Sequence, residues 1–164
     1  MHIRNNTIYF AKVNSDAIIP NKRDEDAGYD FYPNFRETSI VIQPNEIKLI
    51  PTGIASAFNK NFVLIIKERS STGTKGMSIR MGVIDSGFRG EILIGINNTV
   101  KKPIIITKDE SFADGNYFIH YYTKSIAQGI LIPIPKMKIQ EIEYSELLKV
   151  DSKRKKSFLG SSGK

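Results

Sequence analysis

The sequence predicts an all-β fold, a sandwich or barrel built on one hydrophobic core. Three observations predict it. The apolar stretches are short and rich in Ile, Val, Phe and Tyr, residues that suit a pleated surface. Gly, Pro, Asn and Asp separate them at close intervals, as turns between strands require. Helical periodicity is scarce, with one short helix at most. A chain of 164 residues is long enough to bury such a core without covalent staples. No internal repeat and no second domain is visible. We read 1–150 as a single domain and 151–164, poor in apolar residues, as a mobile C-terminal tail.

In chain order, residues 3–13 alternate imperfectly through Ile8, Phe10 and Lys12 and read as the first strand. Residues 16–26 are a charged loop containing Pro20. Residues 27–32 (AGYDFY) form a short strand, broken by 33–38. Residues 39–42 are another, and Pro44-Asn45 turns the chain into a strand at 46–51 that Thr52-Gly53 ends. The run 62–67 (FVLIIK) is almost continuously apolar and reads as a strand buried on both faces. Residues 69–76 (RSSTGTKG) are the place for the short helix, with Ser70 or Ser71 as its N-cap. Residues 81–91 (MGVIDSGFRGE) carry a hairpin signature: an apolar run, a turn at Ser86-Gly87, then a strand over 91–97. Pro103 makes 101–107 a short or edge strand. Residues 108–115 connect to an aromatic strand at 117–122. An apolar strand follows at 126–134, and Pro133 and Pro135 end its pairing. Residues 138–144 alternate and read as a last strand.

Composition narrows the chemistry. Without cysteine there is neither a disulfide nor a thiolate. His2 and His120 are the only imidazoles, which disfavours a zinc enzyme or a Ser-His-Asp mechanism, and both read as structural. No leader pattern and no membrane-length apolar run is visible, so an intracellular protein is expected, cytoplasmic or, in a eukaryotic or viral setting, nuclear. The net charge of +7 suits an anionic partner, and KRKK at 153–156 is either a solvated basic run or part of an anion contact.

Five stretches could carry chemistry. Asp85, at the mouth of the 81–91 turn, is placed as a general base or as an ordinary turn acid. Asp26 and Asp30 in DAGYD suit Mg²⁺, directly or through water, or are turn acids. Arg69, Ser70 and Ser71 before Gly73 offer a guanidinium, hydroxyls and open backbone for phosphate, or a plain polar loop. Gln128 inside an apolar strand needs a partner, a ligand or the backbone. RKKSFLGSSG, residues 154–163, could fold over an anion or stay disordered.

The order of these stretches resembles the trimeric dUTP pyrophosphatase (dUTPase) family, whose members carry five short motifs in fixed order. AGYD at 27–30 resembles the first, ERSS at 68–71 the second, GVIDSGFRGE at 82–91 the third, SIAQGILIP at 125–133 the fourth and RKKSFLGSSG the fifth. The resemblance implies a jelly-roll-like β-sandwich of the β-clip type. It also implies a homotrimer whose active sites draw motifs from different subunits, and conversion of dUTP and water to dUMP and pyrophosphate with Mg²⁺. Asp85 matches the base that activates water, and Asp30 the acid that holds metal-bound waters. Ser70 and Gln128 match phosphate contacts, with Ser71 beside them, and Arg69 matches an arginine that organises the site. Gly82 belongs to the backbone that reads uracil, and Phe88 stands where an aromatic, usually Tyr, packs on the deoxyribose. Arg154, Leu159, Ser161 and Ser162 match tail residues that close over the nucleotide. The chain departs from the pattern at Ile79, in place of an Asn. It departs again in the tail, where Lys155, Ser157 and Phe158 replace glycines and Leu159 replaces an aromatic. A related dCTP deaminase, or a bifunctional relative, would need a Glu where Gly95 stands. A regulatory or nucleic-acid-binding relative is the other alternative. Neither a membrane nor nucleic acid is the expected partner.

Overall fold

The computed structural model describes residues 3, 4 and 6–152. Twelve strands and two one-turn helices are found among them. The chain divides into two compact units, Met1–Ile134 and Pro135–Lys164.

The first unit is the all-β sandwich. It contains β1 Tyr9–Lys12, β2 Tyr29–Phe31, β3 Ser39–Ile42, β4 Ile47–Pro51, β5 Ile54–Ala57, β6 Phe62–Lys67, α1 Ser70–Gly73, β7 Met77–Arg80, β8 Val83–Ile84, β9 Leu93–Asn98, β10 Ile104–Thr107, β11 Phe118–Tyr121 and β12 Ala127–Pro133. Four small sheets run β1-β5, β11-β10-β3, β2-β12-β6-β8 and β4-β9-β7. Their inward side chains form one core in which Phe31, Ile42, Ile50, Phe58, Leu64, Ile94, Ile96 and Ile106 are fully enclosed. Period-two burial is clear in β5, where Ile54 and Ser56 point in, and in β6, where Leu64 and Ile66 do.

Several expectations change. The 81–91 stretch is not a simple hairpin. β8 pairs with β6 through Leu64↔Ile84 and Ile65↔Val83, while β9 pairs with β4 and β7 in another sheet. β7 and β9 are the antiparallel legs, and the chain between them leaves that sheet to lay β8 on β6. The expected turn does form, closed by the Phe88 N–H on the Asp85 carbonyl at 3.1 Å. β10 is central, not edge, and all four of its residues are buried. Pro103 stands just before β10, where its missing N–H breaks no ladder, and its carbonyl accepts the Phe118 N–H. β6 is buried on one face only. In α1 the N-cap is Arg69, because Thr72 Oγ1, a turn later, accepts the Arg69 N–H at 3.1 Å.

In the second unit, residues 138–144 form no strand. A strand exists only through a pairing ladder, and alternation alone supplies none. A second helix, α2 Tyr144–Leu147, closes instead with local bonds from Leu147 N to Glu143 O and Leu148 N to Tyr144 O, both 3.1 Å. No described helix is long and apolar enough to cross a membrane.

Candidate functional site

Two clefts collect the residues singled out in the sequence. The first, of about 480 Å³, is polar and is lined by Asp30, Arg69, Ser70, Ser71 and Gln128 together with Gly28 and the 23–27 loop. Three strand positions converge there. Gln128 of β12 lies opposite Asp30 of β2 on one side and Lys67 at the end of β6 on the other. The chain leaves β6 through Glu68 and enters α1, so Arg69, Ser70 and Ser71 follow directly.

Each side chain is set by its neighbours. Arg69 Nε meets Asp30 Oδ1 at 2.8 Å, and both groups are about one-third exposed. Gln128 Nε2 donates to the Glu68 carbonyl at 2.8 Å, which leaves its second N–H and its Oε1 to the cleft. Gly28 makes room for this amide, since a Cβ there would lie 2.7 Å from Gln128 Oε1. Glu68 steadies the corner through Oε1, which accepts the Ile79 N–H at 2.8 Å. Burial pushes the Glu68 carboxyl up, but the Ile79 N–H, its own N–H and Lys67 outweigh that and hold it below its ordinary value. Ser70 and Ser71 are exposed. This cleft offers the guanidinium groups of Arg23 and Arg69, two hydroxyls and an amide together with the carboxylates of Glu25, Asp26 and Asp30.

The second cleft, of about 570 Å³, is mainly apolar and is lined by Met81, Gly82, Val83, Ile84, Asp85, Phe88, Glu91, Ile92 and Leu93. Its floor is fixed at Gly82, whose carbonyl accepts the Ile66 N–H at 2.7 Å. The approach is so close that a Cβ on Gly82 would sit 2.6 Å from the Ile66 carbonyl oxygen. Val83 (66 % exposed), Met81 (64 %) and Phe88 (43 %) present apolar surface to solvent, unusual for strand and turn residues with a core nearby. Of the two carboxylates lining it, Glu91 is committed to the fold, its Oε1 accepting the Gly53 N–H at 2.6 Å. Asp85 stands exposed on the turn.

The structure therefore brings Asp30, Arg69, Ser70, Ser71 and Gln128 together, and separately Gly82, Asp85 and Phe88. No described residue lines both clefts. Arg154, Leu159, Ser161 and Ser162 lie outside the described residues, as does His2. His120 is buried on β11 with Nε2 against the Lys124 carbonyl at 3.1 Å, a structural role. Ile79 packs against the core while its N–H serves Glu68. Gly95 is tightly placed, its Cβ position being 3.0 Å from the Arg80 carbonyl oxygen, so a side chain there would make the backbone give by a few tenths of an ångström.

Sequence reasoning placed Glu68 inside ERSS and Gly28 inside AGYD but gave neither a role. Membership of those motifs was the only signal, because both act through groups distant in the chain. Among the described residues no three carboxylate or imidazole groups gather as a metal cage. Of the three acids lining the cleft, Asp30 faces Arg69 and Asp26 is held by the Arg23 guanidinium at 2.9 Å, while Glu25 lies beside them. This donor set is compatible with a magnesium ion that takes most of its ligands from phosphate oxygens and water rather than from a protein cage.

A sequence model of the dUTPase family matches residues 14–114. The deoxyuridine 5′-triphosphate nucleotidohydrolase of Nautilia profundicola is 32 % identical over 157 residues, 93 % of this chain and 96 % of that protein. The Pol polyprotein of caprine arthritis encephalitis virus is 34 % identical over 106 residues; the match spans 65 % of this chain but only 9 % of that longer protein. Among solved structures, the dUTPase of Staphylococcus bacteriophage 80alpha with dUpNHpp is similar at 25 % identity and a TM-score of 0.76, covering 97 % of this chain and 99 % of that one.

Proposed function

The chain belongs to the dUTPase family, and from that premise we propose that it hydrolyses dUTP to dUMP and pyrophosphate. The observation that carries the reading is the sorting of its residues into one polar cleft suited to a triphosphate and one apolar cleft suited to a deoxynucleoside.

In the polar cleft Arg69, Ser70, Ser71 and Gln128 bind and orient the phosphates, and cation and hydroxyl donors offset their charge. Magnesium, when bound, neutralises charge on the triphosphate, and Asp30 holds it through water. In the apolar cleft the backbone at Gly82 faces the uracil edge, and Phe88 packs on the deoxyribose where a 2′-hydroxyl would collide. Asp85 takes a proton from a water whose oxygen bonds to the α-phosphorus. The bond from that phosphorus to the bridging oxygen breaks, and pyrophosphate leaves. The carboxylate is well suited to this because it lies exposed on a short turn, free of the role that Glu91 fills.

The separation of the two clefts supports a site assembled from neighbouring copies in a homotrimer, one giving the phosphate side and another the nucleoside side. The unit Met1–Ile134 supplies the β scaffold, and residues 151–164 close over the bound nucleotide through Arg154, Leu159, Ser161 and Ser162. Ordering such a tail costs roughly 1–2 kcal/mol of backbone entropy per residue, so closure follows ligand contacts.

Purified protein with Mg²⁺ is expected to release pyrophosphate from dUTP and to leave dTTP and UTP nearly untouched. No pyrophosphate from dUTP at any metal concentration would overturn the reading. Ammonia released from dCTP in the same panel would move it to the deaminase branch.

A further inference from the structure

The 85–88 turn carries both the proposed base and the sugar-facing ring, yet packing does little to hold it. A Cβ on Gly87 would meet nothing within 4 Å, so the tip stands in open space. Asp85 and Phe88 are exposed. Backbone that is not packed keeps its shape only through hydrogen bonds, and without them it opens readily.

One is the backbone bond from the Phe88 N–H to the Asp85 carbonyl, and Arg89 adds the side-chain bonds. Its Nη1 donates to the Ser86 carbonyl and to the Phe88 carbonyl, each at 2.7 Å, and reaches the Ser56 carbonyl at 3.4 Å. Ser86 and Phe88 belong to the turn. Ser56 belongs to β5 and sits opposite Phe10 of β1. One charged nitrogen thus closes the turn on itself and ties it to the body of the sandwich, and bonds from a cationic donor are stronger than neutral ones. Two residues on, the Glu91 carboxylate fastens the outgoing chain to the Gly53 N–H.

We infer that Arg89 is a positioning residue for hydrolysis. It sets the reach of Asp85 and the lie of the Phe88 ring, and so governs turnover and discrimination against ribose together. The inference rests on the dUTP-hydrolysing reading of this site.

The test compares wild type with Arg89→Met, which keeps the aliphatic stem, and Arg89→Lys, which keeps the charge and puts three donors on one nitrogen. Three quantities are measured in the full chain with Mg²⁺: kinetics on dUTP and UTP, hydrogen exchange of the 85–90 amides, and melting temperature. Arg89→Met is expected to lose about 10- to 100-fold in kcat/KM for dUTP, mostly in kcat, since misplacement of a reacting group by about 1 Å has that scale. Its preference for dUTP over UTP narrows, its turn amides exchange about tenfold faster or more, and its melting temperature stays with wild type. Arg89→Lys recovers most of each loss. Wild-type kcat and exchange in Arg89→Met would overturn the inference. So would equal losses in both variants with a fallen melting temperature, the mark of a folding role. Should wild type itself leave dUTP intact, the hydrolysis reading fails. Exchange then still decides the brace: faster turn amides in Arg89→Met uphold it, and unchanged ones refute it.

Discussion

Replacing Gly82 with alanine should damage the protein in proportion to a collision that can be measured. The new Cβ would stand 2.6 Å from the Ile66 carbonyl oxygen, 3.7 Å from its carbon and 3.8 Å from its nitrogen. All three are backbone atoms of the strand beneath, so no side-chain rotation relieves the contact. β8 must lift from β6, and the 2.7 Å bond from the Ile66 N–H to the Gly82 carbonyl stretches as it does. Overpacking of this kind costs about 1–3 kcal/mol, and the weakened hydrogen bond adds about 0.5–1.5 kcal/mol. The sum is about 1.5–4.5 kcal/mol. For a chain of this length each kcal/mol moves the melting temperature by about 2–4 °C, so a fall of about 3–18 °C is expected. Gly87→Ala is the control. Its Cβ meets nothing within 4 Å, and its φ lies outside the left-handed range, so its effect should stay within about 0.5 kcal/mol. Calorimetric melting at one fixed protein concentration measures both, since the proposed assembly would make the midpoint depend on concentration. Titration with dUMP then asks whether the nucleoside cleft survives. The reasoning fails if Gly82→Ala melts with wild type and binds dUMP as well, or if Gly87→Ala does equal harm.

Asp85→Asn should lower kcat on dUTP by at least about 100-fold while nucleotide affinity stays near wild type, measured by pyrophosphate release and calorimetry; lost affinity would assign Asp85 to folding instead. Truncation after Val150 should cut turnover strongly and leave the melting of the β unit unchanged, and undiminished activity would remove the tail from the site. His120 gives a pH signature. Burial pushes its imidazole below the ordinary value of 6.5, with Lys75 and Arg69 adding to the effect and the Lys124 carbonyl opposing it. The unfolded chain then binds more protons than the folded one below about pH 6.5. Stability is therefore fully present above that pH and declines as pH falls toward the folded value, by up to about 1.4 kcal/mol per pH unit. Denaturant titrations between pH 7.5 and 5.5 should show a shallower slope for His120→Asn than for wild type, and identical slopes would contradict the assignment.

The strands at 39–42, 62–67 and 126–134 were legible because each is a β-branched or apolar run bounded by turn residues. Two strands, Ile54–Ala57 and Met77–Arg80, escaped notice. Alanine, serine and arginine dilute their pattern, and pairing with β1 and β9 is what makes them strands. Residues 138–144 failed in the opposite sense, having the alternation without a ladder. Pro103 marked a short strand correctly, since β10 has four residues, but not an edge one, because its restriction applies to the residue itself and β10 begins one residue later. In the site, residue type and motif order singled out Asp85, Arg69 and Gln128, and the structure places each of them in a cleft. Their supports could not be read that way, since Glu68 serves Gln128 from 60 residues away in the chain.

By itself the sequence determined the class of fold, the family and the functional groups at hand, because turn chemistry, side-chain alternation and motif order are local properties of a chain. Tertiary structure decided which strands are neighbours, that β8 leaves its expected partner for β6, and that the functional groups fall into two clefts. Those outcomes depend on where backbone donors and acceptors find partners and on how closely two chains can approach, as at Gly82 and Ile66. Such constraints join residues far apart in sequence, and no local pattern carries them.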